Sequence, residues 1–150
     1  MLTWWAVGIW AVAAGGGLTM AALFLRHEGM RQSEREAIGP LRVFPHVGLA
    51  AAGLVLWIVY AVSDSEVAAW VATALIGGAF AIAGTFLLTR DQHRRRELAR
   101  LREPAAGVAG AAVAPPAEAY IPIWLASVHG LLGAAALILV LLERAGVGGS

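Results

Sequence analysis

Four long stretches of this 150-residue chain contain no Asp, Glu or Lys and only one Arg, Arg42 at the edge of the second stretch beside the first connection, and they restrict the fold more than any other feature. A helix needs roughly 20 apolar residues to cross the hydrocarbon core of a bilayer, and each stretch reaches that length. Because lipid offers no hydrogen-bond partners to open backbone groups, such stretches form helices and not strands. The predicted spans are residues 2–25, 41–62, 67–89 and 120–142.

The overall composition agrees with a membrane protein. Hydrophobic residues make up 59% of the chain and charged residues only 14%, so a soluble domain would lack the charged surface it needs. The sequence therefore predicts an all-α polytopic membrane protein, in which residues 1–150 form one domain, a four-transmembrane-helix bundle with up-down-up-down topology. The absence of cysteine excludes disulfides, thiolate metal sites and iron–sulfur clusters.

The arginines are distributed unevenly between the connections. All eleven basic residues are arginine, and ten of them fall in the first and third connections, whereas the second, "SDSE", contains only Asp64 and Glu66. Short loops rich in arginine stay in the cytoplasm. We therefore expect a bacterial cytoplasmic (inner) membrane protein with both termini outside. The remaining arginine, Arg144, is expected beside Glu143 at the outer headgroups.

Two segments lie outside the predicted spans. Residues 90–103, "RDQHRRRELARLRE", are predicted to continue the third helix as a basic cytoplasmic stub that rests against anionic headgroups, and no nucleic-acid partner is expected so close to the bilayer. Residues 104–119 are rich in Pro, Ala and Gly and show no apolar period. They predict a flexible linker that lets the fourth helix dock against any of the others.

The second and fourth spans each contain one histidine followed by the same pattern. "HVGLAAAGLVLW" begins at His46 and "HGLLGAAALILV" begins at His129. Both read H-x-x-L, then four small residues, then Leu-aliphatic-Leu. Since these two helices run in the same direction, the match is what a two-helix unit repeated in parallel would leave, although spans rich in Ala and Leu also resemble one another through composition alone.

Small side chains line the same helix face as each histidine. The residues four and seven positions beyond the two histidines are Ala50, Gly53, Gly133 and Ala136. Such neighbours lie on one face, so each imidazole stands beside a strip without bulk in which a group with volume can lie. In the first span, Gly15, Gly16 and Gly17 predict a close approach between helices and do not by themselves discriminate packing from ligand binding.

An ionisable side chain at membrane depth is a functional hypothesis by default, because burying it costs free energy. The second and fourth helices of an up-down-up-down bundle are diagonal, so their inward faces oppose each other. The predicted spans place His129 deeper than His46 by about 6 Å at 1.5 Å per residue, an offset that helix tilt can absorb. Two imidazoles that meet in this way suit bis-histidine ligation of haem iron.

On these residues the chain resembles the small b-type membrane cytochromes, which are four-helix bundles with haem held by histidines on different helices. The resemblance implies haem b, electron transfer, and His46 and His129 as axial ligands of the iron. It also implies that the macrocycle lies over Ala50, Gly53, Gly133 and Ala136. The chain departs from the pattern because those cytochromes often carry more than two such histidines, so a single haem near the inner leaflet is the most it supports.

Other interpretations of the two histidines remain open. Each ring can instead hydrogen-bond to Ser127, to Thr19 or to a backbone carbonyl such as the one freed by Pro45, and so serve packing alone. The protein is then a cofactor-free structural or accessory subunit of a larger membrane complex. A proton, quinone or metal-ion site is a third possibility, although two histidines are few for zinc or copper.

The remaining residues point to no further chemistry. His27 and His93 lie in arginine-rich connections and are expected to be solvated. No phosphate-binding glycine loop, no paired carboxylates within a span and no hydrolase motif is present, so turnover by side chains alone is not expected. The expected partners are the lipid bilayer and either a redox partner or a larger membrane complex, and a homo-oligomer remains open.

Overall fold

The structure, a computed structural model, describes residues 1–27, 40–102 and 120–147. These residues form four helices and no strand: α1 (Leu2–Arg26), α2 (Pro40–Ser63), α3 (Glu66–Arg102) and α4 (Ile123–Arg144). All four are long and apolar enough to cross a membrane, α3 through its Glu66–Thr89 part. The predicted all-α membrane bundle is confirmed. The linker predicted at residues 104–119 lies outside the described residues.

Proline decides where α4 begins. The span predicted from residue 120 starts instead at Ile123, because Pro122 caps the helix and its carbonyl accepts hydrogen bonds from the amides of Leu125 and Ala126 at 3.0 and 3.2 Å. Proline has no amide hydrogen, and the start of a helix is where it is best tolerated, because the amides of the first turn have no intrahelical partner. Each histidine therefore lies six residues after the first residue of its helix, Pro40 to His46 and Ile123 to His129, which removes the predicted difference in depth.

The four helices pack as two tight pairs. Helix α2 packs along α3 and α1 packs along α4, whereas the contacts of α1 with α2 and of α3 with α4 are much narrower. Within the described ranges neither α1 and α3 nor α2 and α4 approach each other closely. The helices that carry the two histidines are thus diagonal, as the predicted topology requires, and each belongs to a different tight pair.

The core cluster of buried residues lies towards one end of the bundle, which we call the Arg144 end, where α1 and α3 begin and α2 and α4 end. The core cluster there consists of Ala6, Trp10, Trp57, Ala69, Ala72, Ile76, Ala136 and Val140. We call the opposite end, where α2 and α4 begin, the histidine end. Many large apolar side chains point outward along all four helices, among them Trp5 and Leu131. A bundle with such an exterior suits lipid and not water as its surroundings.

Polar contacts join α4 to α3 and to α1 at the Arg144 end. The Arg144 guanidinium forms an ion pair with Glu66 at 2.6 Å and lies over the Trp70 ring, 4.6 Å from its centroid. The Thr3 hydroxyl donates a hydrogen bond to Glu143 at 2.7 Å. Arg144 and its sequence neighbour Glu143 thus have different partners, Glu66 on α3 and Thr3 on α1. Adjacent residues point to different faces of a helix, so each finds its partner on a different neighbouring helix.

Gly53 is the position where this packing tolerates a side chain least. A Cβ atom there would lie 3.0 Å from the Trp10 ring and 3.3 Å from the Cβ of Leu75, whereas a Cβ at Gly48 would meet nothing within 4 Å. We expect Gly53→Ala to lower the free energy of unfolding by about 1–3 kcal/mol through overpacking. Thermal denaturation in detergent, with Gly48→Ala as the matched control, measures the difference. Equal midpoints for the two variants would contradict this packing.

Candidate functional site

The rings of the two membrane histidines approach each other between α2 and α4, towards the histidine end of the bundle. The ring centroids of His46 and His129 are 6.0 Å apart, and the ring planes are inclined at 75°. Both histidines are half-buried. Residues separated by most of the chain length are thus brought together, as expected from the diagonal arrangement of α2 and α4.

Each ring is fixed by one hydrogen bond to the neighbouring helix of its own tight pair. Nδ1 of His46 lies 2.9 Å from the carbonyl oxygen of Ala79 on α3, and Nδ1 of His129 lies 2.8 Å from that of Ala13 on α1. A carbonyl oxygen can only accept, so Nδ1 carries the hydrogen in both rings. In the neutral imidazole, Nε2 is then the unprotonated nitrogen with a free lone pair.

The carbonyl partners answer the question that the sequence left open about Pro45. The carbonyl freed by this proline does not receive the His46 hydrogen bond, which goes to Ala79 instead. Thr19 likewise bonds within its own helix, to the carbonyl of Gly15. Both histidines therefore use backbone carbonyls of adjacent helices, where a second lone pair remains beside the intrahelical bond.

Glycines of α1 make room for the His129 ring. A Cβ atom at Gly17 would lie 3.0 Å from Cε1 of His129, and one at Gly16 would lie 3.8 Å from its Cβ. The ring therefore lies flat against bare backbone. The sequence predicts a close approach of another helix to Gly16 and Gly17, and the group that approaches them is the His129 side chain. On the other side, Phe86 of α3 stands edge-on to His46 with the ring centroids 5.7 Å apart.

The small residues predicted to line a ligand strip have different surroundings. Gly53 is buried beneath the Trp10 ring, and Ala136 is fully buried in the core cluster. Gly133 faces Phe80, whose ring atom would lie 3.4 Å from an added Cβ, and Ala50 is half-buried. Beside Gly53 and Gly133 the protein's own aromatic rings thus occupy the space that the absent side chains leave. Along each helix, the strip of small residues therefore leads from the histidine towards the packed core.

The other two histidines are not part of the pair. His27 caps α1, donates from Nδ1 to the carbonyl of Leu23 at 2.9 Å, and stacks on Tyr120 with the ring centroids 4.0 Å apart. It is half-buried and not solvated as expected, because Tyr120 at the start of the α4 segment covers one face. The side chain of His93 lies outside the described residues.

The donor set of the site is two imidazoles. In the part of the chain that the structure describes, no three side chains among His, Asp and Glu gather into a group that could hold a metal ion. Structural zinc takes four protein ligands and catalytic zinc three. Two imidazoles fall short of either zinc ligand set.

Comparison with protein-family models, with curated proteins and with solved structures finds no match to this chain. The arguments about function therefore depend on the histidine pair and its surroundings.

The hydrogen bonds of the pair predict one tautomer for both rings. We expect His46 and His129, at a pH where they are neutral, to carry the hydrogen on Nδ1 and to leave Nε2 bare. Nitrogen-15 NMR of histidine-labelled protein separates the two tautomers by chemical shift, and His46→Ala and His129→Ala assign the signals. Signals from rings protonated on Nε2 at either position would contradict the contacts to Ala79 and Ala13.

Proposed function

We propose that this protein binds one haem b, with His46 and His129 as the axial ligands of the iron, and that it transfers electrons in a membrane. The observation that carries the proposal is the separation of the two rings, 6.0 Å between centroids. A metal held by one nitrogen from each ring, through bonds of about 2 Å and with half a ring on either side, separates two imidazole centres by about 6 Å.

The hydrogen bonds at Nδ1 support the proposal. Histidines that ligate metals usually donate their other ring N–H to a carbonyl or carboxylate, which sets the tautomer, orients the ring and raises the basicity of the ligating nitrogen. His46 and His129 both have such a partner, Ala79 and Ala13 respectively. The chain thereby offers two oriented Nε2 atoms, and the rings need no reorganisation of their outer hydrogen bonds on binding.

The packing of the bundle also supports it. His46 belongs to the tight pair of α2 and α3, and His129 to that of α1 and α4, so a group held by both rings would lie between the two pairs, where the helices touch least. The large side chains of the core cluster lie towards the Arg144 end. The residues whose carbonyls hold the two rings, Ala13 and Ala79, are buried and small.

The cofactor and the protein would have separate roles in electron transfer. Haem would supply one-electron oxidation and reduction of its iron when bound. The residues of this chain hold the two nitrogens in place, keep both rings in the Nδ1–H form, and surround the site with apolar side chains that exclude water. No side chain of the described pair is required to transfer a proton. Phe86, edge-on to His46, adds to the apolar wall.

The distribution of arginines indicates how the protein is oriented in the membrane. We place the chain in a bacterial cytoplasmic membrane with the arginine-rich connections inside and the Arg144 end outside. The histidine end then lies towards the cytoplasm, and a redox partner or a larger membrane complex would exchange electrons with the haem from the membrane or from that side. A single haem near one leaflet does not span the bilayer, so the proposal includes no transmembrane electron path within this chain.

A cofactor-free structural or accessory subunit is the second candidate. The same two contacts favour it, because the hydrogen bonds to Ala79 and Ala13 already join helices within each tight pair. Interhelical bonds of this kind contribute on average about 0.6 kcal/mol in membrane proteins. On this alternative both rings complete their role without a ligand on Nε2.

The visible spectrum separates the two candidates. We expect protein purified from haem-supplied cells to be red, with a Soret band that shifts and sharpens on reduction. His46→Ala and His129→Ala should each lose the band, because each removes one of two axial ligands, while His27→Ala should keep it. Circular dichroism and gel filtration confirm that the variants remain folded.

Imidazole provides the matched control for a ligand role. We expect His129→Gly with added imidazole to regain the Soret band, since free imidazole can replace the missing ring beside Gly17, whereas a packing defect would not respond. Colourless wild-type protein from haem-supplied cells would overturn the haem proposal and leave the structural candidate. A band that survives both histidine substitutions would overturn the ligand assignment.

A further inference from the structure

The buried positions of α2 and α4 repeat with a constant separation in the sequence. His46 and His129 are 83 positions apart, and so are the buried residues of the two helices, Gly53 with Ala136 and Trp57 with Val140. The two helices therefore match in their sequence pattern and also in which side of the helix is buried.

Helices α1 and α3 show a second constant separation, which the sequence alone does not reveal. Three buried residues of α1, Ala6, Trp10 and Ala13, recur 66 positions later as the buried residues Ala72, Ile76 and Ala79 of α3. The third of these pairs consists of the two residues whose carbonyls accept the histidine hydrogen bonds. Equivalent backbone atoms thus fix equivalent imidazoles.

The helix contacts obey the same correspondence. Suppose that α1 corresponds to α3 and that α2 corresponds to α4. The tight pair of α2 and α3 then corresponds to the pair of α4 and α1, which is also tight. The contact of α1 with α2 corresponds to that of α3 with α4, and both of these contacts are narrow. Helix α3 is longer than α1, 37 residues against 25, and the connection that follows it is longer than the one that follows α1, so the two separations differ.

We propose that the protein is a fused dimer of two helical hairpins, α1–α2 and α3–α4, related by a pseudo-two-fold axis along the helices. Each hairpin is the binding partner of the other, and the histidine pair lies on the axis with one ring from each. The tight helix pairs and both histidine hydrogen bonds cross from one hairpin to the other, so the interface between the hairpins is the main stabilising contact.

Bulk has been redistributed between the two halves. In the first hairpin a large residue, Trp10, lies against Gly53, which has no side chain. At the equivalent positions of the second hairpin a smaller residue, Ile76, accompanies Ala136 in the same core cluster. Close packing of a core makes such paired changes necessary once two copies diverge.

Engineered disulfides test the pseudo-symmetry without any cofactor. A Cβ at Gly16 would lie 3.8 Å from the Cβ of His129, a distance that suits a disulfide. The two separations assign Ile82 and His46 as the equivalent positions. Because the chain has no cysteine, Gly16→Cys with His129→Cys and Ile82→Cys with His46→Cys can be made without background. The control pair is Gly48→Cys with Gly130→Cys, where an added Cβ meets nothing within 4 Å.

We expect mild oxidation in membranes to remove both free thiols in each of the two equivalent pairs and to leave them in the control. A disulfide in the first pair without one in the second would overturn the correspondence between the hairpins. The result does not depend on haem, since each variant lacks one histidine, so failure of this inference and failure of the proposed function are distinguishable.

A circular permutant tests whether the hairpins are interchangeable units. The start of α1 and the end of α4 lie together, as the bond between Thr3 and Glu143 shows, and α2 and α3 are joined at the same end through Asp64 and Ser65. Joining Ser150 to Met1 and opening the chain between residues 64 and 65 exchanges the order of the hairpins. We expect this permutant to insert and to elute at the wild-type volume, and to form the disulfide between positions 16 and 129. If the permutant aggregates while the protein with the native chain order, prepared in the same way, does not, the proposal is overturned.

Discussion

The hydrogen bonds that His46 and His129 donate to the carbonyls of Ala79 and Ala13 connect the parts of this structure. A backbone carbonyl within a helix keeps one lone pair after its own helix bond, and in lipid a polar side chain must find such a partner inside the protein. Each bond joins two helices of a tight pair and orients an imidazole towards the opposite pair. Packing, tautomer and the 6.0 Å approach of the rings all follow from these two contacts.

The small residues of the helices leave room for the His129 ring in one place and for close helix packing in others. The His129 ring lies against Gly16 and Gly17 because a Cβ at Gly17 would come within 3.0 Å of it. Away from the rings, Gly53 admits Trp10 and Ala136 is enclosed in the core, so the small residues of α2 and α4 serve the association of helices. In lipid, where apolar surfaces gain nothing from leaving water, such close packing and a few interhelical bonds hold a bundle together.

Much of the architecture could be predicted from the sequence, and the rest depended on information that a single sequence does not contain. Uncharged runs of sufficient length predict the four helices, and their alternating direction predicts that α2 and α4 are diagonal. The start of α4 was missed because Pro122 could equally lie within an apolar run. The surroundings of Gly53 and the partner of Arg144 were missed because both contacts join distant parts of the chain, Gly53 to Trp10 and Arg144 to Glu66. The carbonyl partners leave no trace in residue types, since every residue has a carbonyl.

Two imidazoles from diagonal helices approach each other inside this bundle, with ring centroids 6.0 Å apart. Magic-angle-spinning NMR of protein in bilayers, labelled only at histidine, measures this directly and requires no cofactor. We predict a carbon–carbon cross-peak between the rings of His46 and His129 that disappears in His129→Ala, as expected for centroids 6.0 Å apart. Two resolved ring signals with no cross-peak between them at long mixing times would show that the rings do not meet, and would contradict the account.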